Sequence, residues 1–269
     1  VGAGGLVLAP LANYFILNFG WRTAYILLGV ITLLLAVPTI NLFIKTRPED
    51  IGLLPDGATA GMAKGGPVKI EGLSAQEAMR TQTFWILAAV FFLFSCGLTG
   101  VTIHLVPYLR DVGFSPTTAA SIFGIVSGLS ILGRLGIGYL ADRIDVRYVT
   151  VMSYALCIVG LLFLMGVEPS AMIFVLGFVA TYSFAYGGDG ALQAIIPAKC
   201  FGRAAIGKIL GYLYVPFSMG LGLWPFLGGY IFDVQKSYDL AFSIYIASFF
   251  TSCIAILFIK TGAWEGQKS

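Results

Sequence analysis

Between Arg80 and Arg110 the chain carries no Asp, Glu, Lys or Arg, and most of that stretch is Leu, Phe, Val, Ala and Ile. A run of this length and composition cannot be kept in water, and its backbone amides must be satisfied within the segment, which means a membrane-spanning helix. The pattern recurs along the sequence. Eight spans are expected, near residues 1–18, 24–44, 83–107, 116–140, 148–167, 171–197, 208–232 and 239–259. Each is close to the roughly 20 residues that cross a hydrocarbon core about 30 Å thick. The composition agrees: 58% hydrophobic and 11% charged residues, against about 25% charged in soluble domains. The long continuous runs predict helices rather than a β-barrel.

The cations orient these spans. If the first runs outward, the inside loops and tail hold Lys45, Arg47, Lys64, Lys69, Arg80, Arg143, Arg147, Lys199, Arg203, Lys208, Lys260 and Lys268. The outside loops hold only Arg22, Arg110 and Lys236. Cytoplasmic loops concentrate Lys and Arg, so the C-terminus is expected in the cytoplasm of a cell (plasma or bacterial inner) membrane. Cys96, Cys157, Cys200 and Cys253 fall in or at the ends of spans, so no disulfide framework is expected. Val1 lies inside an apolar run without a signal-peptide layout.

Two stretches repeat. GLVLAPLANYFILNFGWRTAY (residues 5–25) and GLGLWPFLGGYIFDVQKSYDLAF (residues 220–242) each place Gly five residues before Pro, at Pro10 and Pro225. Each then turns into a new span with an aromatic-x-x-Ala-aromatic start. Spans 1–2 thus recur as spans 7–8, six spans later, as in transporters built from two similar halves. A period of six implies four spans upstream of Val1, making the eight present helices 5–12 of twelve. Residues 1–44 would close the first half, 45–82 form a cytoplasmic linker and 83–269 form the second half. The linker is rich in Gly, Pro and Lys and reads as a solvated tether. Near its end Ser74 and Glu77 have capping-box spacing, predicting a short amphipathic helix before span 3.

Two opposite charges stand inside spans. Arg134 precedes Asp142 by eight residues, about 12 Å along a helix. Asp189 precedes Lys199 by ten, about 15 Å. At similar depth, the pair is expected to neutralise itself when empty, with a carboxylate competing for Arg134. The alternatives are a permanent ion pair, or an arginine reaching cytoplasmic water along a groove. His104, the single histidine, could relay protons or be an interfacial polar residue. Tyr186 and Tyr214, with Tyr182, Phe184, Tyr212 and Trp224, could line a cavity or simply pack. Span 7 holds Gly211, Pro216, Gly220, Gly222, Pro225, Gly228 and Gly229, a composition suited to bending as a gate and to close packing. Residues 202–208 have P-loop spacing, but Ile209 stands where Ser or Thr would bind Mg²⁺, so a plain turn is expected. No cluster of metal ligands or catalytic motif appears in the sequence, and no cofactor, metal or nucleic acid is expected.

Gly138-Tyr-Leu-Ala-Asp142-Arg143 resembles the G-x-L-x-D-R element of the major facilitator superfamily, GWR at 20–22 resembles its turn between helices 5 and 6, and PLA at 10–12 resembles its helix-5 Gly-Pro element, with Ala9 and Asn13 where many members have glycine. A narrower resemblance is to its monocarboxylate-transporter and oxalate/formate-antiporter branch. It rests on RPEDIGLLPDG in the linker, HLVPYLRDVGFSPTTAA from His104, and GRLGIGYLADR. The resemblance implies an all-α major facilitator fold and a carrier, not an enzyme. That carrier would move a small organic anion, a monocarboxylate, by alternating access, with proton symport or anion exchange. By the resemblance Arg134 would engage the substrate carboxylate; from the residues themselves, Tyr186 and Tyr214 are further substrate-binding candidates and Asp189 and His104 proton-coupling candidates. Gly138, Asp142, Arg143 and Arg147 would hold the inner gate; the plainer reading of that loop is a positive-inside anchor. Partners are the anion, protons and the bilayer around a monomeric carrier. Ser130 stands where animal monocarboxylate carriers have an acid four residues before the arginine, and span 7 lacks the oxalate carrier's second cation. A drug or sugar carrier and a non-transporting sensor are the alternatives.

Overall fold

The computed structural model describes residues 2–43 and 71–262. Eight helices follow one another among them: α1 (Gly2–Phe43), α2 (Ala75–Met79), α3 (Gln82–Asp111), α4 (Pro116–Arg143), α5 (Val146–Met165), α6 (Met172–Phe201), α7 (Ile206–Gln235) and α8 (Asp239–Leu257). Strand pairing among the described residues is limited to one isolated bridge between Gly72 and Gly202. Seven helices are long and apolar enough to cross a membrane. α3 to α8 correspond to expected spans 3 to 8, three of which run one or two residues past the helix end.

Expected spans 1 and 2 both fall on α1, apart from residues 1 and 44, which lie outside the described residues. Its apolar part, Val7–Asn41, has 35 residues. At 1.5 Å per residue that is about 52 Å, well beyond one crossing of about 30 Å. The backbone leaves helical geometry at Gly20, with φ 78° and ψ 161°. Glycine alone takes that conformation without strain, so the turn expected at Gly20–Arg22 is present as a one-residue break. The hydroxyls of Thr32 and Thr39 donate to carbonyls four residues earlier, at 2.8 and 2.6 Å. That return to the helix's own backbone suits side chains without water.

The chain divides into two compact units, residues 14–70 and residues 1–13 with 71–269. In the larger unit α4 packs along α6, α3 along α7, and α5 between α6 and α8, while α8 also packs on α3. Small residues set the closest approach. A Cβ on Gly187 of α6 would lie 1.7 Å from the Ser130 carbonyl oxygen of α4. One on Gly133 of α4 would lie 2.0 Å from the carbonyl oxygen of Phe184. Such backbone-to-backbone contact is how helices gain packing energy in lipid, where burial from water no longer drives them together. Aromatics fill the centre: Phe94 of α3 stacks on Tyr154 of α5 at 4.9 Å and meets Phe249 of α8 at 5.5 Å.

The expected capping box is present. The Ser74 amide donates to Glu77 Oε2 at 2.8 Å, and the Glu77 amide to Ser74 Oγ at 3.3 Å. The Ser74 amide holds the Glu77 carboxyl below its usual range. Ahead of α2, the Leu73 amide donates to the Phe201 carbonyl (2.8 Å) and the Arg203 amide to the Glu71 carbonyl (2.9 Å). The end of the linker is thereby strapped to the α6–α7 turn. Gly202 closes α6 at φ 75°, and the P-loop-like spacing is a turn between two helices. The RPEDIGLLPDG stretch and most of the linker lie outside the described residues.

Candidate functional site

Arg134 sits about two and a half turns from the C-terminal end of α4 and is exposed. Its guanidinium lies beside Gly190 of α6: a Cβ there would be 3.7 Å from Nη2 and 3.8 Å from Nε. The depth match inferred from spacing is therefore present, since Gly190 follows Asp189 directly. The expected ion pair is absent. Asp145–Arg147 is the ion pair found among the described residues, and none joins Arg134 to Asp189. The cause is helical phase. Consecutive residues point about 100° apart, so Gly190 faces Arg134 while Asp189 turns into the bundle, where it is 3% exposed.

There Asp189 Oδ2 accepts a hydrogen bond from Gln193 Nε2, one turn further along α6. Its Oδ1 is buried and has no hydrogen-bond partner among the described residues. Tyr154 and Cys157 of α5, Tyr182 and Tyr186 of α6 and Tyr214 of α7 lie within electrostatic reach of the carboxyl. Tyr186, which Arg134 also reaches electrostatically, is half-buried and stacks on Tyr182 at 6.1 Å and 12°. Tyr214 is 39% exposed and packs edge-on against Phe91 and Phe217. The structure thus brings together Arg134, Tyr186 and Asp189 around the α4–α6 contact, with Tyr214 on the neighbouring α7. Gln193 was missed by sequence reasoning. Its signal was available: an amide four residues after an intramembrane acid shares that acid's helix face.

His104 belongs to a different cluster. It is 8% exposed, its Nε2 lies 3.0 Å from the Pro225 carbonyl oxygen of α7, and its ring lies 5.4 Å from that of Tyr238. Further along the same pair of helices, the Trp224 indole donates to the Phe92 carbonyl at 3.3 Å. These contacts stitch α3 to α7 at two levels and do not include Arg134 or Asp189.

The α4–α5 loop carries its own set of polar contacts. Asp142 and Arg143 are exposed, and Arg143 lies over the Tyr139 ring at 4.2 Å. Arg147 pairs with Asp145 through Nη2–Oδ2 at 2.7 Å and Nε–Oδ1 at 3.1 Å. The reason is proximity: Asp145 is the N-cap of α5 and already accepts the Arg147 amide at 2.9 Å. The Arg147 side chain holds the Asp145 carboxyl below the usual carboxylate range. Lys199 of α6 donates to the Ala141 carbonyl, tying the same end of α4 to α6. Gly138 has open space where a Cβ would go.

Residues 1–198 match the family model described as Major Facilitator Superfamily. The chain belongs to the major facilitator superfamily. Among curated relatives it is 27% identical to Monocarboxylate transporter 12-B of Danio rerio, over 95% of this chain and 56% of that protein. It is 24% identical to Monocarboxylate transporter 12 of Homo sapiens, over 96% of this chain and 54% of that protein. The chain therefore spans about half the length of the curated relatives it matches. Among solved structures, a bacterial homolog of the human lysosomal transporter Spinster, inward-facing and unoccupied, matches with TM-score 0.49 and 18% identity over 93% of this chain and 61% of that one. With seven membrane-length helices and this family, the chain is part of a multi-pass membrane protein.

Proposed function

We propose that the protein is a secondary carrier that moves a small organic anion, a monocarboxylate, across a cell membrane by alternating access. The observation that carries this reading is Arg134: a guanidinium at membrane depth, exposed on α4 and without an ion-pair partner among the described residues. A cation in that position is costly unless it faces a wet cavity or an anion, and its planar fork suits a carboxylate bidentately. Tyr186 and Tyr214 offer hydroxyls to orient the substrate. Asp189, buried with one unpaired oxygen, is the proton-coupling acid. His104, held at the α3–α7 contact, is a second titratable group whose role would be in helix movement rather than in substrate contact. Asp142, Arg143 and Arg147 lie at the cytoplasmic gate, together with Asp145. The relatives named monocarboxylate transporters support the substrate class, and the charge bias of the loops supports a cytoplasmic C-terminus.

The test is uptake of a panel of labelled monocarboxylates, with and without an imposed pH gradient, in membranes matched for carrier amount. Arg134→Gln should abolish uptake while the protein still inserts. Asp189→Asn should retain exchange and lose proton-driven accumulation. Normal uptake by Arg134→Gln would remove the anion-binding role. Normal accumulation by Asp189→Asn would remove the coupling role.

A further inference from the structure

We propose that the groove between α2, the start of α3 and the first half of α7 binds an anionic phospholipid, with an acyl chain in the groove and the headgroup on Arg80 and Lys208. The groove has a volume of about 280 Å³. Met79, Trp85 and Ala88 line one side of it, and Tyr212, Val215 and Met219 the other. Its shape follows from the sequence. Pro216, also in the lining, has no amide to donate to the Tyr212 carbonyl, and its ring crowds the preceding turn of α7. On the α3 side the lining residue is the small Ala88, so the space between the helices stays open. Trp85 is 64% exposed, and its indole nitrogen already donates to the Met79 carbonyl at 3.0 Å. With that donor satisfied, the groove offers a ligand almost entirely apolar surface.

Depth and charge identify the occupant. From Lys208 to Met219 α7 rises about 16 Å, close to one leaflet of a hydrocarbon core about 30 Å thick. Lys208 precedes Tyr212 by four residues and Val215 by seven, which puts it on the groove's face of α7. Arg80 follows Met79 directly, as the C-cap of α2. Both are exposed, and neither forms an ion pair among the described residues, although Arg80 lies within electrostatic reach of Glu77. A third cation, Lys260, is held at the same end: its amide donates to Thr83 Oγ1, next to Phe84, at 3.3 Å. An apolar slot one leaflet deep, with cations at its water end, matches a lipid with an apolar chain and a negative headgroup. A zwitterionic lipid would fill the slot and gain little from Arg80 and Lys208. The site shares no residue with Arg134, Tyr186, Asp189 or the His104 contact, so it is independent of what the protein carries.

The experiment places the full-length protein in phosphatidylcholine bilayers and adds increasing fractions of a lipid with brominated acyl chains, phosphatidylglycerol in one series and phosphatidylcholine in the other. Bromine quenches tryptophan fluorescence on contact, and the signal lost in Trp85→Phe isolates the Trp85 share. Brominated phosphatidylglycerol should half-quench Trp85 at a lower mole fraction than brominated phosphatidylcholine. That preference should fall roughly fivefold in each of Arg80→Gln and Lys208→Gln, the worth of one cation at a membrane surface. Both positions are exposed, so the variants keep the fold. Val215→Phe, a larger side chain at an exposed lining position, should weaken the quenching of Trp85 by both lipids. Equal half-quenching fractions for the two lipids in wild type would overturn the proposal, as would a preference that survives both charge substitutions or quenching unchanged in Val215→Phe. Absence of quenching by either lipid would also overturn it, because polypeptide from elsewhere in the full-length protein would then cover the groove.

Discussion

At Asp145 one carboxylate caps α5 and holds Arg147, and the two contacts respond differently to substitution. Asp145→Ala removes both and should cost about 1 kcal/mol, as expected for loss of an N-cap. Asp145→Asn keeps an oxygen for the Arg147 amide and should cost less, because a partly exposed ion pair adds little. The sign with pH follows from the depressed carboxyl. The pair's contribution is present above the unfolded carboxyl range and is lost as pH falls through the lower folded value. Thermal unfolding of the detergent-solubilised protein at stepwise lower pH should therefore show a loss in wild type that Asp145→Asn lacks; parallel curves would contradict it. This residue was legible in sequence only as Ile-Asp-Val ahead of an apolar run, an N-cap position. The neighbouring Asp142-Arg143 motif drew attention away from it. Arg134 and Asp189 were legible because charge stands out in apolar runs. Their lack of an ion pair was not, since depth follows from counting residues and facing depends on helical phase in three dimensions.

Glycine in the helices of this chain has two distinct uses, and single substitutions separate them. Gly187 sits against the backbone of α4, so Gly187→Ala forces a methyl into a space 1.7 Å from a carbonyl oxygen. Overpacking of this kind costs typically 1–3 kcal/mol or more, and the variant should lose folded protein in detergent, read by size-exclusion yield. Gly138 faces open space, so Gly138→Ala should leave that yield unchanged; equal losses in the two variants would contradict the packing argument. The existence of the helices was readable from apolar runs, and the short α2 from its Ser74–Glu77 box. The break in α1 was placed near its true position because a Gly-Trp-Arg turn interrupts the run, but a turn of several residues was expected where Gly20 alone breaks the helix. Which helices pair was not readable, because lipid-facing and bundle-facing sides are both apolar and periodicity loses its contrast.

For the whole molecule, the proposed orientation rests on the loop charges. A reporter fused after Ser269 and another placed near Gly65 should both report cytoplasm, and an external signal at either site would contradict the proposed arrangement. The superfamily was legible because its elements are short local motifs, while the substrate depends on side chains that converge from several helices. The central claim is that Arg134 holds the substrate's carboxylate, and equilibrium binding tests it without requiring transport. Binding of a labelled monocarboxylate to the purified full-length protein should weaken by about 10- to 100-fold in Arg134→Gln, the worth of charge-assisted hydrogen bonds at 1.5–3 kcal/mol. Equal affinity in wild type and Arg134→Gln would contradict the account.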